Sequence, residues 1–422
     1  MKAILEPGSI SGKLFAPPSK SMTQRAYAAA LLHKGKTIIN NPGSSEDESA
    51  ALNIIEQLGA KAIRNGSTIT ITSDGVNPKS DHIHCGESGL SARLFTPIAA
   101  LSDNKITIGG SGSLLNRSMN GIEDALSAVD VTLTQFNGYL PFTLQGPLRA
   151  KSIKINADDG SQFLSGLLFA LTHAAKERVT IEVAGLKSKP YVDMTLDVLA
   201  HFGKPVSHNN YEEFYIDPDL FTYPDPVEIS IEADWSSAAY FLVAGAIAGE
   251  ITIGNLKIDS NQADVAILEV LKNAGATIAI EGDSISVKKS PLQSFEFDAT
   301  HCPDLFPVLA ILAANCMGES YIKGVHRLFN KESNRAESIT EMLQDFDVPF
   351  SIEDDVLCIS GVRYLQGTVI DSYNDHRIVM AAAIGALRAN GPVDIPGAAS
   401  VNKSYPDFFK DLSLCGGKCN LV

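Results

Sequence analysis

The stretch IIEQLGAKAI, residues 54–63, holds a helix tail, a stop and a strand start within ten residues, and the chain repeats it. Ile54, Ile55 and Leu58 share one helical face, Gly59 ends the helix, and a strand begins beyond it. DALSAVDVTL (124–133), DVLAHFGKPV (197–206), EVLKNAGATI (269–278) and EMLQDFDVPF (341–350) follow the same plan, and KDLSLCGGKC (410–419) ends the chain in it. Gly59, Asp130, Gly203, Gly275 and Asp347 stand in register at spacings of 71, 73, 72 and 72 residues, with Gly416 closing the series. Such a period in a chain of 422 residues predicts six copies of one supersecondary unit.

Working outward, each copy has the same neighbours. The first five are followed by a hairpin-like pair of alternating strands, with turn signals at Asn65-Gly66, Asn137-Gly138 and Gly282. A short strand and a loop precede each copy, as in ITIGGSGSLLNRS (106–118) and VDIPGAASVNKS (393–404). Before these comes an almost wholly apolar helix, for example FLSGLLFALTHA (163–174) or AAYFLVAGAIAG (238–249). A helix apolar on every side is buried on every side. The pattern predicts an α/β protein of two three-unit domains, with buried helices at their centres and sheets outside. The seam falls near EISIEADWSSA, at about residues 228–235, and the first dozen residues are free to pair with either half.

Composition bounds the function. With 45% hydrophobic and 20% charged residues the chain reads as an ordinary globular enzyme, long enough for two full cores. A net charge of −15 argues against a general nucleic-acid binder and makes any local group of cations informative. The six cysteines show no paired CxxC spacing, and His82-x-His84-Cys85 reads as a strand end rather than a metal site. With no signal-like start and no long apolar run, the expectation is a cytoplasmic protein with reduced thiols.

The unusual polar residues fall at two equivalent places in the unit. At the starts of the buried helices stand Lys20, Ser21 and Arg25; Gly89 and Arg93; Ser161 and Gln162; Asp234, Ser236 and Ser237; Asp304; and Asp375, His376 and Arg377. In the loops before the amphipathic helices stand Arg117, Ser188, Tyr191, Lys331, Glu332, Arg335 and Lys403. Helix N-termini present free N–H groups and a positive dipole end, so added cations point to bound anions. Charge at the end of a buried helix also demands a partner. The clustering predicts a cleft for more than one anionic group.

The segments PSKSMTQRA, DGSQFLSGLL, SKPYVDMT, KESNRAE, YNDHRIVMAA and NKSYPDFF together resemble the EPSP synthase (3-phosphoshikimate 1-carboxyvinyltransferase) family, from about residue 12 to about residue 412. The resemblance implies two inside-out α/β barrel-like domains, each of three βαβαββ units around buried parallel helices. The expected domains are residues 13–232, and residues 1–12 with 233–422, with the active site in the cleft between them. The implied reaction moves the enolpyruvyl group of phosphoenolpyruvate to the 5-hydroxyl of shikimate 3-phosphate and releases phosphate, without metal or organic cofactor. Ser21, Arg25, Ser161, Ser188, Tyr191, Asp304 and Lys331 would hold shikimate 3-phosphate. Lys20, Gly89, Arg117, Gln162, Arg335, Arg377 and Lys403 would hold phosphoenolpyruvate. Lys20, Asp304 and Glu332 would carry the acid–base steps, with the pKa of a carboxylate among cations lowered. The implied partners are these two small molecules, not nucleic acid or membrane, and the chain is expected to act as a monomer.

The sequence departs from the family pattern in places. CGESGLSARLF (85–95) puts Glu87 and Ser88 before Gly89, and Leu94 after Arg93. Ser118 stands where a proline is common, and Arg327 where some relatives have Asn. Two other readings share the architecture. An enolpyruvyl transferase acting on a UDP-linked amino sugar would usually carry a reactive Cys in the 111–118 loop, and SGSLLNRS has none. A non-catalytic anion-binding relative would not need Glu332 and Asp304 beside the cations. At the helix start, Lys20→Ala or Arg25→Ala is expected to remove turnover while leaving the melting temperature nearly unchanged.

Overall fold

In the computed structural model, which describes residues 1–422, all six register residues have a positive φ. The values are 122° at Gly59, 66° at Asp130, 75° at Gly203, 81° at Gly275, 57° at Asp347 and 90° at Gly416. A left-handed residue past a helix end lets the following N–H groups fold back onto the last carbonyls. At the first stop the Ala60 N–H donates to Ile55 O at 2.9 Å; at the fifth, Val348 N–H donates to Leu343 O at 2.9 Å. Glycine takes this conformation freely and Asp is among the few side chains that tolerate it. The period of the sequence is therefore a period of helix stops.

The buried helices follow from their composition. Every residue of Gly89–Ala99, Phe306–Ala314 and His376–Ala386 is buried, and in Trp235–Ala248 only Ser236 is not. In residues 18–232, the helices Lys20–Leu32, Gly89–Ala99 and Gln162–Ala174 pack on one another in one hydrophobic core. Trp235–Ala248, Phe306–Ala314 and His376–Ala386 do the same in the second core.

Sheets cover these helices. A typical one runs Ile153–Asn156, Val179–Ala184, Glu213–Ile216, Val206–Asn209, with the first pair parallel and the rest antiparallel. Five sheets have four strands, and a sixth has three. The turn at Asn137-Gly138 is wider than a two-residue hairpin, because its strands Thr132–Thr134 and Phe142–Gln145 are short.

The halves exchange strands. Ile10–Phe15, which leads into the first buried helix, pairs parallel with Gly249–Gly254 along six residues. Val227–Ser230 takes the place it leaves, beside Gly35–Asn40. At the chain start, Lys2–Glu6 lies antiparallel between Val393–Pro396 and Lys418–Leu421. The compact units are therefore residues 18–232, and residues 1–17 with 233–422. Residues 13–17, expected with the middle of the chain, belong instead with its C-terminal part, held there by the Ile10–Phe15 ladder. No helix is long and apolar enough to cross a membrane.

Candidate active site

In the unit of residues 18–232, the helix Lys20–Leu32 starts at the cap Ser19, whose side chain accepts from Met22 N–H. That start brings Lys20 to Asp47, Nζ to Oδ2 at 2.8 Å, with both side chains largely covered. Asp47 sits in the first turn of Glu46–Gln57, where Ser45 and Glu48 form a reciprocal capping box. One turn into the first helix, Arg25 is only 1% exposed. Its Nε donates to Thr195 Oγ1 at 2.8 Å, and its terminal nitrogens donate to the carbonyls of Ser21 at 2.9 Å and Tyr191 at 3.1 Å. Burial pulls its pKa down to about 10, partly offset by Tyr191. Arg25 is thus a structural pin as well as a cation. Against the expectation of an unchanged melt, Arg25→Ala is expected to lower the melting temperature, because it removes these three hydrogen bonds and leaves a cavity at a buried position.

Ser188 has φ 56° and ψ 46° at the start of Lys189–His201, and its carbonyl accepts from Tyr191 N–H at 3.1 Å. A left-handed non-glycine residue at a functional helix start holds local strain. Gln162 opens the next buried helix and accepts from Arg93 at 3.3 Å, while Arg93 also donates to Ser118 O at 2.6 Å. Ser161 precedes it at the cap position and is 3% exposed. The Arg117 guanidinium lies over Gly89, where an added Cβ would come 2.6 Å from its Cζ. Two sequence departures find their reasons here. Ser88 caps the helix Gly89–Ala99 through Ser91 N–H at 3.2 Å. Glu87 accepts from the Ser113 N–H at 3.2 Å and hydroxyl at 3.3 Å, which seats its carboxylate on the Gly112–Asn116 turn.

In the other unit the charges form a network around Arg335, which is 0% exposed. Its Nε donates to Asp375 Oδ2 at 2.8 Å, one terminal nitrogen donates to Asp304 Oδ1 at 2.7 Å, and the other to Glu332 Oε2. Arg377 donates to the second Asp304 oxygen at 2.8 Å, and Lys331 Nζ stands 3.9 Å from the first. Asp375 caps the helix His376–Ala386 through Arg377 N–H and also accepts from Ser333 Oγ at 3.0 Å. Lys403 donates to Asn374 O at 2.6 Å, next to that cap.

This arrangement splits the titrations. Burial alone would raise Asp304, but Arg377, Lys331 and Arg335 outweigh it and hold its carboxyl far below the usual range. Burial lowers Lys331 to about 8 despite Asp304 beside it. Burial, then Asp304, pushes Asp264 up to about 7, against Arg377 and the Ser236 hydroxyl. Environments that drive neighbouring carboxyls apart mark acid–base sites.

The sequence-derived candidates group as follows. Lys20, Ser21, Arg25, Gly89, Arg117, Ser161, Gln162, Ser188 and Tyr191 lie in one unit, and Asp304, Lys331, Glu332, Arg335, Arg377 and Lys403 in the other. Arg335 was expected to clamp an anion directly, yet its nitrogens already serve three carboxylates. These bonds fix the orientation of the Asp304 and Glu332 carboxylates. The sequence reading missed Asp47, which looked like a helix-start acid, and Thr195, which lies 170 residues from Arg25. It also missed Asp264, which sits in the short 3-10 helix Ala263–Ala266.

Residues 4–412 match the model of the family described as EPSP synthase (3-phosphoshikimate 1-carboxyvinyltransferase). A 3-phosphoshikimate 1-carboxyvinyltransferase of Methanocorpusculum labreanum is 34% identical, with 99% of each chain covered. One from Clostridium kluyveri is 36% identical, covering 98% of this chain and 97% of its own. Among solved structures, EPSP synthase from Acinetobacter baumannii superposes with a TM-score of 0.81 at 25% identity, over 99% of both chains. The enolpyruvyl transferase NikO from Streptomyces tendae shares the fold, with a TM-score of 0.77 at 18% identity over 99% of this chain and 98% of its own.

Proposed function

From the premise that this chain belongs to the EPSP synthase family, we propose that its two residue sets act on one pair of substrates, phosphoenolpyruvate and shikimate 3-phosphate. The product is 5-enolpyruvylshikimate 3-phosphate, with phosphate released. The observation that carries the reading is Asp304, an ionised carboxylate held between Arg335 and Arg377 with Lys331 beside it.

The chemistry suits these groups. As the 5-hydroxyl attacks C2 of phosphoenolpyruvate, it loses a proton, and the methylene carbon gains one. Lys20, Asp304 and Glu332 carry these proton transfers, with Asp304 accepting the hydrogen bond of the attacking hydroxyl. Loss of phosphate from the tetrahedral intermediate, with a proton from the new methyl, restores the enol ether. That intermediate is strongly anionic, so cations already fixed in place stabilise it without reorganising. Lys20, Gly89, Arg117, Gln162, Arg335, Arg377 and Lys403 serve phosphoenolpyruvate, with Arg335 exchanging one carboxylate for the ligand or acting through Asp304. Ser21, Arg25, Ser161, Ser188, Tyr191, Asp304 and Lys331 serve shikimate 3-phosphate. The reaction needs no metal or organic cofactor, and a cytoplasmic monomer fits a chain that carries both sets itself.

The test is phosphate release from phosphoenolpyruvate, with shikimate 3-phosphate and UDP-N-acetylglucosamine as alternative acceptors. Release only with shikimate 3-phosphate is expected. Release only with the nucleotide sugar reassigns the acceptor, and no release with either leaves an anion-binding relative.

A further inference from the structure

A cavity of about 260 Å³ lies in the unit of residues 18–232, away from the candidate site residues. Those residues stand at the N-terminal ends of the helices Lys20–Leu32, Gln162–Ala174 and Lys189–His201. The cavity is bounded by the C-terminal ends of the same three helices, at Leu32 and His33, Thr172 and His173, and Leu199 and Phe202. It is smaller than the roughly 300–1,000 Å³ of sites for drug-sized ligands, which suits a single ring.

Its walls combine two chemistries. Phe169, Phe202 and Tyr223 give it aromatic surface, and Ala29, Leu32 and Leu199 complete the apolar lining. Lys34 and Lys204 also line it, and both act on His173, which burial and then these two ammonium groups hold below its ordinary pKa. Lys204 Nζ sits 3.9 Å from the centre of the Tyr223 ring and 4.3 Å from that of Phe221. No carboxylate forms an ion pair with Lys34 or Lys204, in a protein whose net charge is −15. His33 completes this wall: its side chain is 8% exposed and its ring stands edge-on to Phe202, centres 5.9 Å apart. Its Nε2 is turned toward Asp225 Oδ1, 3.8 Å away beside Gly35.

Helix C-termini would ordinarily repel an anion. Here their carbonyls are engaged: Ala29 O by His33 N–H, Leu31 O by Ser73 Oγ, Leu171 O by Ala175 N–H and Leu199 O by Lys204 N–H. What remains facing the cavity is aromatic surface and two ammonium groups.

We propose that this cavity binds a small aromatic carboxylate, with the ring against Phe202 and Tyr223 and the carboxylate on Lys34 and Lys204. The site is separate from the one that handles the reaction.

Phenylacetate is the probe, added to the full chain and followed by titration calorimetry and by the ring resonances of His33 and His173. Binding with a Kd on the order of 1 mM, shifting both imidazoles, is expected for a ligand of this size. Benzyl alcohol, which keeps the ring and lacks the charge, binds about tenfold more weakly, as does phenylacetate to a Lys34→Gln/Lys204→Gln variant with an unchanged melt. Saturating phosphoenolpyruvate leaves phenylacetate affinity unchanged. Equal affinity in the double variant, displacement by phosphoenolpyruvate, or no shift of either histidine overturns the proposal. If the double variant melts early, the single Lys34→Gln and Lys204→Gln variants must each weaken phenylacetate and not benzyl alcohol.

Discussion

Lys331 carries a pH signature that a surface lysine would not. Burial holds it near 8, so its ammonium is present below that pH and lost as pH rises through it. If it holds the phosphate of shikimate 3-phosphate, kcat/KM for that substrate, which reports the free enzyme, falls above about pH 8. Lys331→Arg is expected to move that fall to higher pH, because a guanidinium stays charged. A profile flat to pH 10 in the unchanged protein removes Lys331 from substrate binding. At this scale the sequence was legible where polar residues cluster in short motifs, as in KESNRAE and YNDHR. It was silent where partners meet only in three dimensions. Nothing near Thr195 marks it as the acceptor for Arg25, and Asp47 reads as one of three acids in the first turn of a helix.

The recurring element is a buried helix whose start is occupied by function. In Gly89–Ala99 the start is crowded: Ser88 supplies the cap, and the Arg117 guanidinium covers Gly89. Gly89→Ala is expected to push Arg117 aside while leaving the helix intact, since Ala favours helix. The measurement is steady-state kinetics with a thermal melt. KM for phosphoenolpyruvate should rise between about 10-fold and 100-fold, with little change in melting temperature. An unchanged KM takes Arg117 out of the phosphoenolpyruvate set. Elements of this kind were the most legible part of the chain. Their apolar runs specify burial on all sides, and the helix stops that follow need Gly or Asp because φ is positive there. Loop geometry was less so, since Glu87 on the Gly112–Asn116 turn has no local sequence signal.

For the molecule as a whole, the count of six units was readable, and the ownership of the strands at the seams was not. Ile10–Phe15 and Val227–Ser230 each precede a buried helix in equivalent fashion, so pattern alone cannot say which sheet either joins. The ladder assigns them crosswise, and the connections near Pro17 and Glu232 are held locally: Ser19 N–H donates to Glu232 O at 2.8 Å and Asp234 N–H to Pro17 O at 2.7 Å. This topology also sets an order of events during synthesis. The unit of residues 18–232 is continuous and owns all its strands, so it can close while the rest of the chain is still being made. The first 17 residues emerge before that unit and find their partners after it, Ile10–Phe15 at Gly249–Gly254 and Lys2–Glu6 only at Val393–Pro396 and Lys418–Leu421. At about 5–20 residues per second, Lys2–Glu6 waits tens of seconds for Lys418–Leu421. Ribosome-bound chains halted at about residue 280 should hold a protease-resistant core of residues 18–232 behind a cleavable N-terminal tail. A tail already protected at that length would mean that the start of the chain finds shelter before its native sheet exists.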